Sequence, residues 1–497
     1  MLGSAIARLC ALLLIASPVL SGCKDDSTEA VAVVAIGAPT DPFERGIRLS
    51  TAGRLVRGAT AEGLVALDES GQVIPAMADR WIVTDDGLSY IFRLRDGVWP
   101  DGPEISGESV RMALQQALKG LAGTTLALDL GSVSDIRAMA GRVVEVRLER
   151  PMPDLLQLLA QPELGLYHKG SGNGPMAVHE QGRVAVLSPM PPAMRGLAEP
   201  PGWQDAARSV RLQGAAAANA VSAFTAGNLD LVLGGRFQDY PLAKAAGGLT
   251  QRHVRIDPAP GLFGLVIVRE NGLLDAPEIR ESLAMAIDRD ALAVALGGGW
   301  RPTTRIAPAN LAVPAVSMGE RWANLDLPAR QAAAARRVAD WQAEAARPHG
   351  TLRPRLSVAL PGGPGADLLF ARLAEDFAAV GLELLRVPEG AGADLRLLDA
   401  VARYNRPEWF LGQLSCAARR GLCNKEADDL LAQALAAPNP LLRAPLLDKA
   451  EAALSAANVF IPLGSPVRWA LVRDGLTGFS VNAQAYHPLA TLAVRTK

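Results

Sequence analysis

The sequence is short of the residues that build metal centres and covalent catalysis. It has 5 histidines, scattered at His168, His179, His253, His349 and His487, and 4 cysteines. Metal sites draw several such ligands together, and no two histidines stand at ligand spacing, so no metal or other cofactor is expected. There is no Gly-x-Ser-x-Gly elbow, no His-Glu-x-x-His and no Cys/His signature, which leaves an exported hydrolase with little support. A net charge of −1 provides no global field toward nucleic acid or anionic lipid. Aromatics are only 5%, and no internal repeat appears. What remains is a long chain with 49% hydrophobic residues, enough for the cores of two or three domains.

A membrane-spanning run is missing as well. The oily stretch "LCALLLIASPVLSGCKDD" carries Leu9 to Val19 and then Pro18 near its end, short of the roughly 20 apolar residues a span requires. Arg8 on one flank and the small Ser21-Gly22 on the other fit a cleaved secretory leader over 1–22. Leu20-Ser21-Gly22-Cys23 resembles the lipobox of bacterial lipoproteins, which implies lipidation of Cys23 and a polar tether over 23–30. The alternative is an ordinary leader with a chance cysteine. Cleavage would remove Cys10 and leave Cys416 and Cys423, in "SCAARRGLCN". In an exported chain a close pair reads as a disulfide; two thiols alone do not complete a metal site.

Strands and helices alternate along the mature chain. "AVAVVAI" is a continuous apolar run that suits a buried strand. In "DDGLSYIFRLRDG", Asp86-Gly87 is a hairpin dipeptide, and Tyr90, Phe92 and Leu94 alternate in the strand period. "SGESVRMALQQALKGL" starts a helix at Ser106, with Glu108 in its first turn. "LSVAL-PGGPG-ADLLFARLAEDFAAVG-LELLRV" reads as strand, loop, helix and strand, closed by Gly381: a βαβ unit. Its loop lacks the Gly-Lys-Ser/Thr ending of a phosphate-binding loop. "DLPARQAAAARRVADWQAEAARPHG" is a helix with Pro328 at its start, and "VPEGAGAD" is the most linker-like internal stretch.

The segment from Glu62 to Val110 is similar to the signature of extracellular solute-binding proteins of the peptide/nickel type, family 5. Matching positions are Glu62-Gly63-Leu64, Gly71, Pro75, Ala78, Trp81, Asp86-Gly87, Tyr90, Phe92, Leu94-Arg95, Gly97-Val98, Asp101-Gly102, Glu108 and Val110. Later landmarks follow in the family's order: "GSGNGPM" (with Met176 in place of an aromatic), "FTAGNLDLVLG", "DAPEIRESLAMAIDRDAL", "KAEAALSAANVFIPLGSP" and "LTGFSVN". The resemblance implies a type II periplasmic-binding-protein fold: two α/β lobes joined by hinge strands, with an extra subdomain on the first. Lobe 1 is expected over 31–255, including a subdomain over roughly 70–165, lobe 2 over 256–465, and a return to lobe 1 over 466–497. Most matched residues are expected to carry fold, with Arg280 and Asp288 pinning helices together.

The resemblance also implies a role. A monomeric, lipid-anchored receptor at the periplasm or cell surface would enclose a peptide or peptide-like solute between its lobes. It would then dock on an ABC permease with its ATPase. The alternatives are a receptor-derived envelope protein that senses or binds a partner without feeding a transporter, and an exported hydrolase. The family's cleft segment corresponds to "DAVARYNRPEWFL", framed by Tyr404, Pro407, Phe410 and Leu411. Arg403 and Arg406 stand where relatives carry acidic residues, so Arg403, Tyr404, Asn405 and Arg406, with Glu62, are the expected ligand contacts. Guanidinium groups suit carboxylates or phosphates, which implies an acidic ligand if the arginines face the cleft; otherwise they point to solvent.

Overall fold

The computed structural model describes residues 30–250, 252–270, 272–311, 319–345 and 354–495. The expected leader, the lipidated Cys23 and its tether lie outside the described residues, apart from residue 30. Among the described residues no helix is long and apolar enough to cross a membrane.

Lobe 1 is built on a seven-stranded sheet. Its order is Met176–Gln181, Val184–Pro189, Val210–Ala215, Val31–Ile36, Leu231–Arg236, Arg468–Val472 and Val254–Ile256. The apolar run Val31–Ile36 lies inside this sheet, parallel to both of its neighbours. Strands covered on both faces lose the polar alternation and read as unbroken hydrophobic runs. The helix Thr51–Thr60 packs alongside, its start fixed by Ser50, whose hydroxyl accepts the Gly53 N–H at 3.2 Å.

Between these strands the chain builds a separate four-stranded antiparallel sheet: Ala78–Val83, Ser89–Leu94, Val143–Leu148 and Val133–Met139. The Asp86-Gly87 turn forms as its chemistry requires. Gly87 sits at φ +67°, and the Asp86 carboxylate accepts from the Leu88 N–H and the Thr84 hydroxyl. Phe92 and Leu94 are buried, and the helix Gly107–Gly120 backs the sheet, capped by Ser106.

Lobe 2 has a five-stranded sheet, in the order Glu383–Pro388, Arg355–Leu360, Leu395–Val401, Gly261–Ile267 and Phe460–Gly464. Arg355–Leu360 and Glu383–Pro388 pair in parallel, joined by the helix Pro364–Ala379, with Gly381 at φ +85° closing the unit. Sheet membership changes between Ile256 and Gly261 and again between Gly464 and Arg468. These two segments join the lobes. One buried cluster runs through the junction, with Phe237 and Phe263 edge to face at 4.9 Å.

Arg280 pins helices as expected: its guanidinium donates to the Leu274 and Ala457 carbonyls. Asp288 does something different. Its carboxylate caps its own helix, Arg289–Leu296, by accepting the Ala291 N–H at 2.9 Å, and the cross-helix bond runs from its backbone to Asp376. Buried Arg289 reaches the Pro462 carbonyl and ties that helix to the sheet.

Candidate functional site

The segment Arg403–Arg406 follows the strand Leu395–Val401 and lies against lobe 1. Arg403 donates to Asp129 Oδ2 at 2.6 Å and to the Thr125 hydroxyl at 3.1 Å. Asp129 Oδ1 accepts from Gln413 Nε2 at 3.1 Å, and Gln413 in turn accepts from Arg420 at 2.8 Å. Arg406 pairs with Asp154 at 2.5 Å. Asp129 and Asp154 belong to the lobe 1 side, so the two arginines form a clasp across the lobes. The tyrosine between them packs against buried clusters of both lobes, and burial raises its hydroxyl pKa.

Electrostatics make this clasp costly. Asp129 is 9% exposed, and burial pushes its carboxyl up to about 6, with Arg403 offsetting part of that rise. Burial likewise raises Asp154 against the pull of Arg406, and it lowers Arg420 to about 10. Buried ion pairs behave in this way because removing charge from water costs about as much as the attraction returns. Cys416 and Cys423 are joined by a disulfide, with Cα atoms 5.0 Å apart, in the loop that carries Arg420.

Two cavities open on either side of this segment. The smaller, about 260 Å³, is walled by Arg54, Glu163 and Arg236 from lobe 1, by Asp399 to Arg403 from lobe 2, and by Gln484 to His487. The larger, about 560 Å³, is lined by Gln72, Asp154, Tyr404, Asn405, Arg406, Glu408 and Asp448, among others. Gln484 borders both and donates to the Arg403 carbonyl at 3.3 Å. The expected contacts are therefore divided. Arg403 faces the smaller cavity, whereas Tyr404, Asn405 and Arg406 face the larger.

Glu62 lies elsewhere, in a cavity of about 290 Å³ bordered by Arg195, Met176 and Tyr486. It is buried and forms ion pairs with Arg95 and Arg195, and Arg95 also donates to the Ala76 carbonyl. This is a bracket that holds the subdomain's strand end to lobe 1.

The smaller cavity has a further polar wall. Ala402 N–H donates to the Pro260 carbonyl at 2.8 Å. Main-chain groups alternate in direction along a strand, so those of Val401 point away from the Gly261–Ile267 partner. On that other side the pairing with Arg355–Leu360 reaches only Leu395 and Arg396, so among the described residues Val401 pairs with Gly261 on one side only. Arg236 ends the strand Leu231–Arg236, so it stands at the carboxyl end of a central strand. Sequence reading passed over Arg236, Asp129 and Gln484. A lone carboxylate inside the apolar "TLALDLGSV", and a charge closing the apolar strand "LVLGGR", are the signals that pointed to the first two.

Comparison with known proteins agrees with this architecture. Residues 72–196 match the family described as bacterial extracellular solute-binding proteins, family 5 Middle. The chain is 34% identical over 122 residues to the probable deoxycholate-binding periplasmic protein YgiS of Escherichia coli (strain K12), covering 21% of this chain and 23% of that protein. It is 24% identical over 323 residues to the glutathione-binding protein GsiB of the same organism, with 60% of each chain covered. The matches thus span less than two thirds of these relatives. Among solved structures, OppA of Haemophilus influenzae overlays with a TM-score of 0.78 at 18% identity, covering 94% of this chain and 99% of that one. The murein tripeptide binding protein MppA of Escherichia coli gives the same values, while its unliganded open form gives a TM-score of 0.63 at 18% identity, with 94% and 97% covered. The lobe arrangement here is thus nearer to the former. These are binding proteins and not enzymes, in keeping with a sequence that has no catalytic motif. Residues 72–196 thus match the middle segment of the bacterial extracellular solute-binding proteins, family 5, and the chain as a whole shares the two-lobed type II fold of these structures.

Proposed function

We propose that this chain is a lipid-anchored receptor that captures a peptide or peptide-like solute between its lobes and delivers it to an ABC permease and its ATPase. One observation carries the reading: a cavity of about 260 Å³ walled by both lobes, with Val401, which pairs with Gly261 on one side only, at its edge. An extended solute gains main-chain hydrogen bonds by lying along such a strand. Ligands of open α/β sheets sit at the carboxyl ends of strands, where Arg236 and Arg403 stand. Relatives named for peptides support the solute class, including a probable di/tripeptide-binding protein of Pseudomonas aeruginosa, 23% identical over 86% of this chain. In this reading Arg403 to Arg406 wall the cleft, Glu62 keeps lobe 1 in shape, and Cys23 holds the monomer to the envelope.

The test is a titration of the purified mature protein with a dipeptide and tripeptide library, read by melting temperature and small-angle scattering. A binding peptide at a hundredfold excess over its dissociation constant should add about 2.7 kcal/mol of stability, without turnover, and should favour the compact form. A peptide that binds and leaves the scattering of an open population unchanged would refute capture between lobes. Co-purification with a permease separates a transport receptor from a receptor-derived sensor.

A further inference from the structure

The smaller interlobe cavity carries an unbalanced charge. Its wall has four arginines, Arg54, Arg236, Arg403 and Arg468, and two carboxylates, Glu163 and Asp399. Arg54 pairs with Glu163 at 2.9 Å. Arg468 places one nitrogen 2.8 Å and 3.0 Å from the two oxygens of Asp399. Arg403 is held by Asp129 from outside the cavity. His487, the remaining titratable group on this wall apart from Tyr486, faces Asp257 at 3.2 Å. Arg236 is left: among the described residues its guanidinium has neither an ion pair nor a hydrogen bond. Asp239, three residues on, feels its charge but lies beyond ion-pair distance. Arg468 also feels Arg236 as a neighbouring like charge.

An anion entering here would therefore meet a guanidinium that no internal carboxylate neutralises. It would also ease the repulsion between Arg236 and Arg468. Guanidinium matches carboxylate through two parallel hydrogen bonds. The volume, just below the usual range for small-molecule sites, limits the solute to a small one. We infer that this cavity selects a small solute bearing a carboxylate, and that Arg236 is the residue that recognises it. The inference rests on the receptor reading above and deepens it. It moves the recognition of charge away from Arg403 and Arg406, which the clasp engages.

The experiment uses the mature full-length protein and matched probes that exchange one carboxylate for a carboxamide: N-acetylalanine against N-acetylalaninamide, and succinamate against succinamide. Binding is read by calorimetry. The acidic member of at least one pair should bind roughly tenfold tighter, the scale of one charge-assisted hydrogen bond net of desolvation. In Arg236→Gln that member should fall to the level of its neutral partner, and Arg236→Lys should recover part of the preference. Equal binding of acidic and neutral members, or a preference that survives Arg236→Gln, would overturn the assignment to Arg236 and leave the receptor standing. If neither these probes nor the neutral dipeptide library binds saturably, the receptor reading and this inference fall together.

Discussion

Protonating Asp129 should tighten the contact between the lobes. Its carboxyl is buried between Arg403 and Gln413, and burial pushes it up to about 6 from an ordinary 3.8. With the lobes apart the same group would face water and return to the ordinary value. An acid whose pKa is higher in the closed state binds its proton more firmly there. Closure therefore gains as pH falls from about 6 toward 3.8, and that gain is lost as pH rises through 6. The difference in proton affinity is worth about 3 kcal/mol, or about a hundredfold in the closing equilibrium. The measurement is the radius of gyration from pH 7.5 to pH 4.5 for the wild type and for Asp129→Asn. The wild type should compact on acidification, and the variant should lose that response. Asp376, whose carboxyl burial also raises to about 6, lies in lobe 2 away from the clasp, so its titration should persist in both proteins. Identical pH profiles, or expansion of the wild type on acidification, would show that Asp129 does not govern closure.

Two further outcomes follow from other contacts. Glu62→Ala leaves the buried guanidinium of Arg95 and the half-buried one of Arg195 without their carboxylate, and stability to urea should fall by about 3–5 kcal/mol; an unchanged midpoint would show that the bracket is not structural. Replacing both Cys416 and Cys423 with Ser removes a crosslink that closes a short loop, at a cost of about 2–3 kcal/mol in the chain-entropy model. Thiol titration of the unfolded, non-reduced mature protein should detect neither cysteine, and two free thiols would refute the bond.

Much of the fold was legible in the sequence because its causes are local. Asp86-Gly87 makes its turn from backbone freedom at one glycine and a side-chain acceptor one residue away. Ser106 caps a helix by reaching three residues along the chain, and the spacing of apolar residues marked the βαβ unit around Pro364–Ala379 without reference to anything distant. The segment Arg403–Arg406 was also visible as a candidate wall, since its charges depart from a recognisable pattern. What those charges do was not visible. Arg403 and Asp129 are 274 residues apart, on different lobes, and no periodicity links them. Whether a guanidinium meets a solute, water or a carboxylate depends on which surfaces the folded lobes bring within hydrogen-bond reach. The same holds for Glu62, drawn into a buried bracket by Arg95 and Arg195, and for Arg236, an unremarked residue at the end of an apolar strand. Composition and local pattern determined the elements and the resemblance of one segment to a family of binding proteins. Only packing decided which arginines are neutralised across the lobes and which one remains open to the cavity, because electrostatic pairing is set by distance in space and by burial.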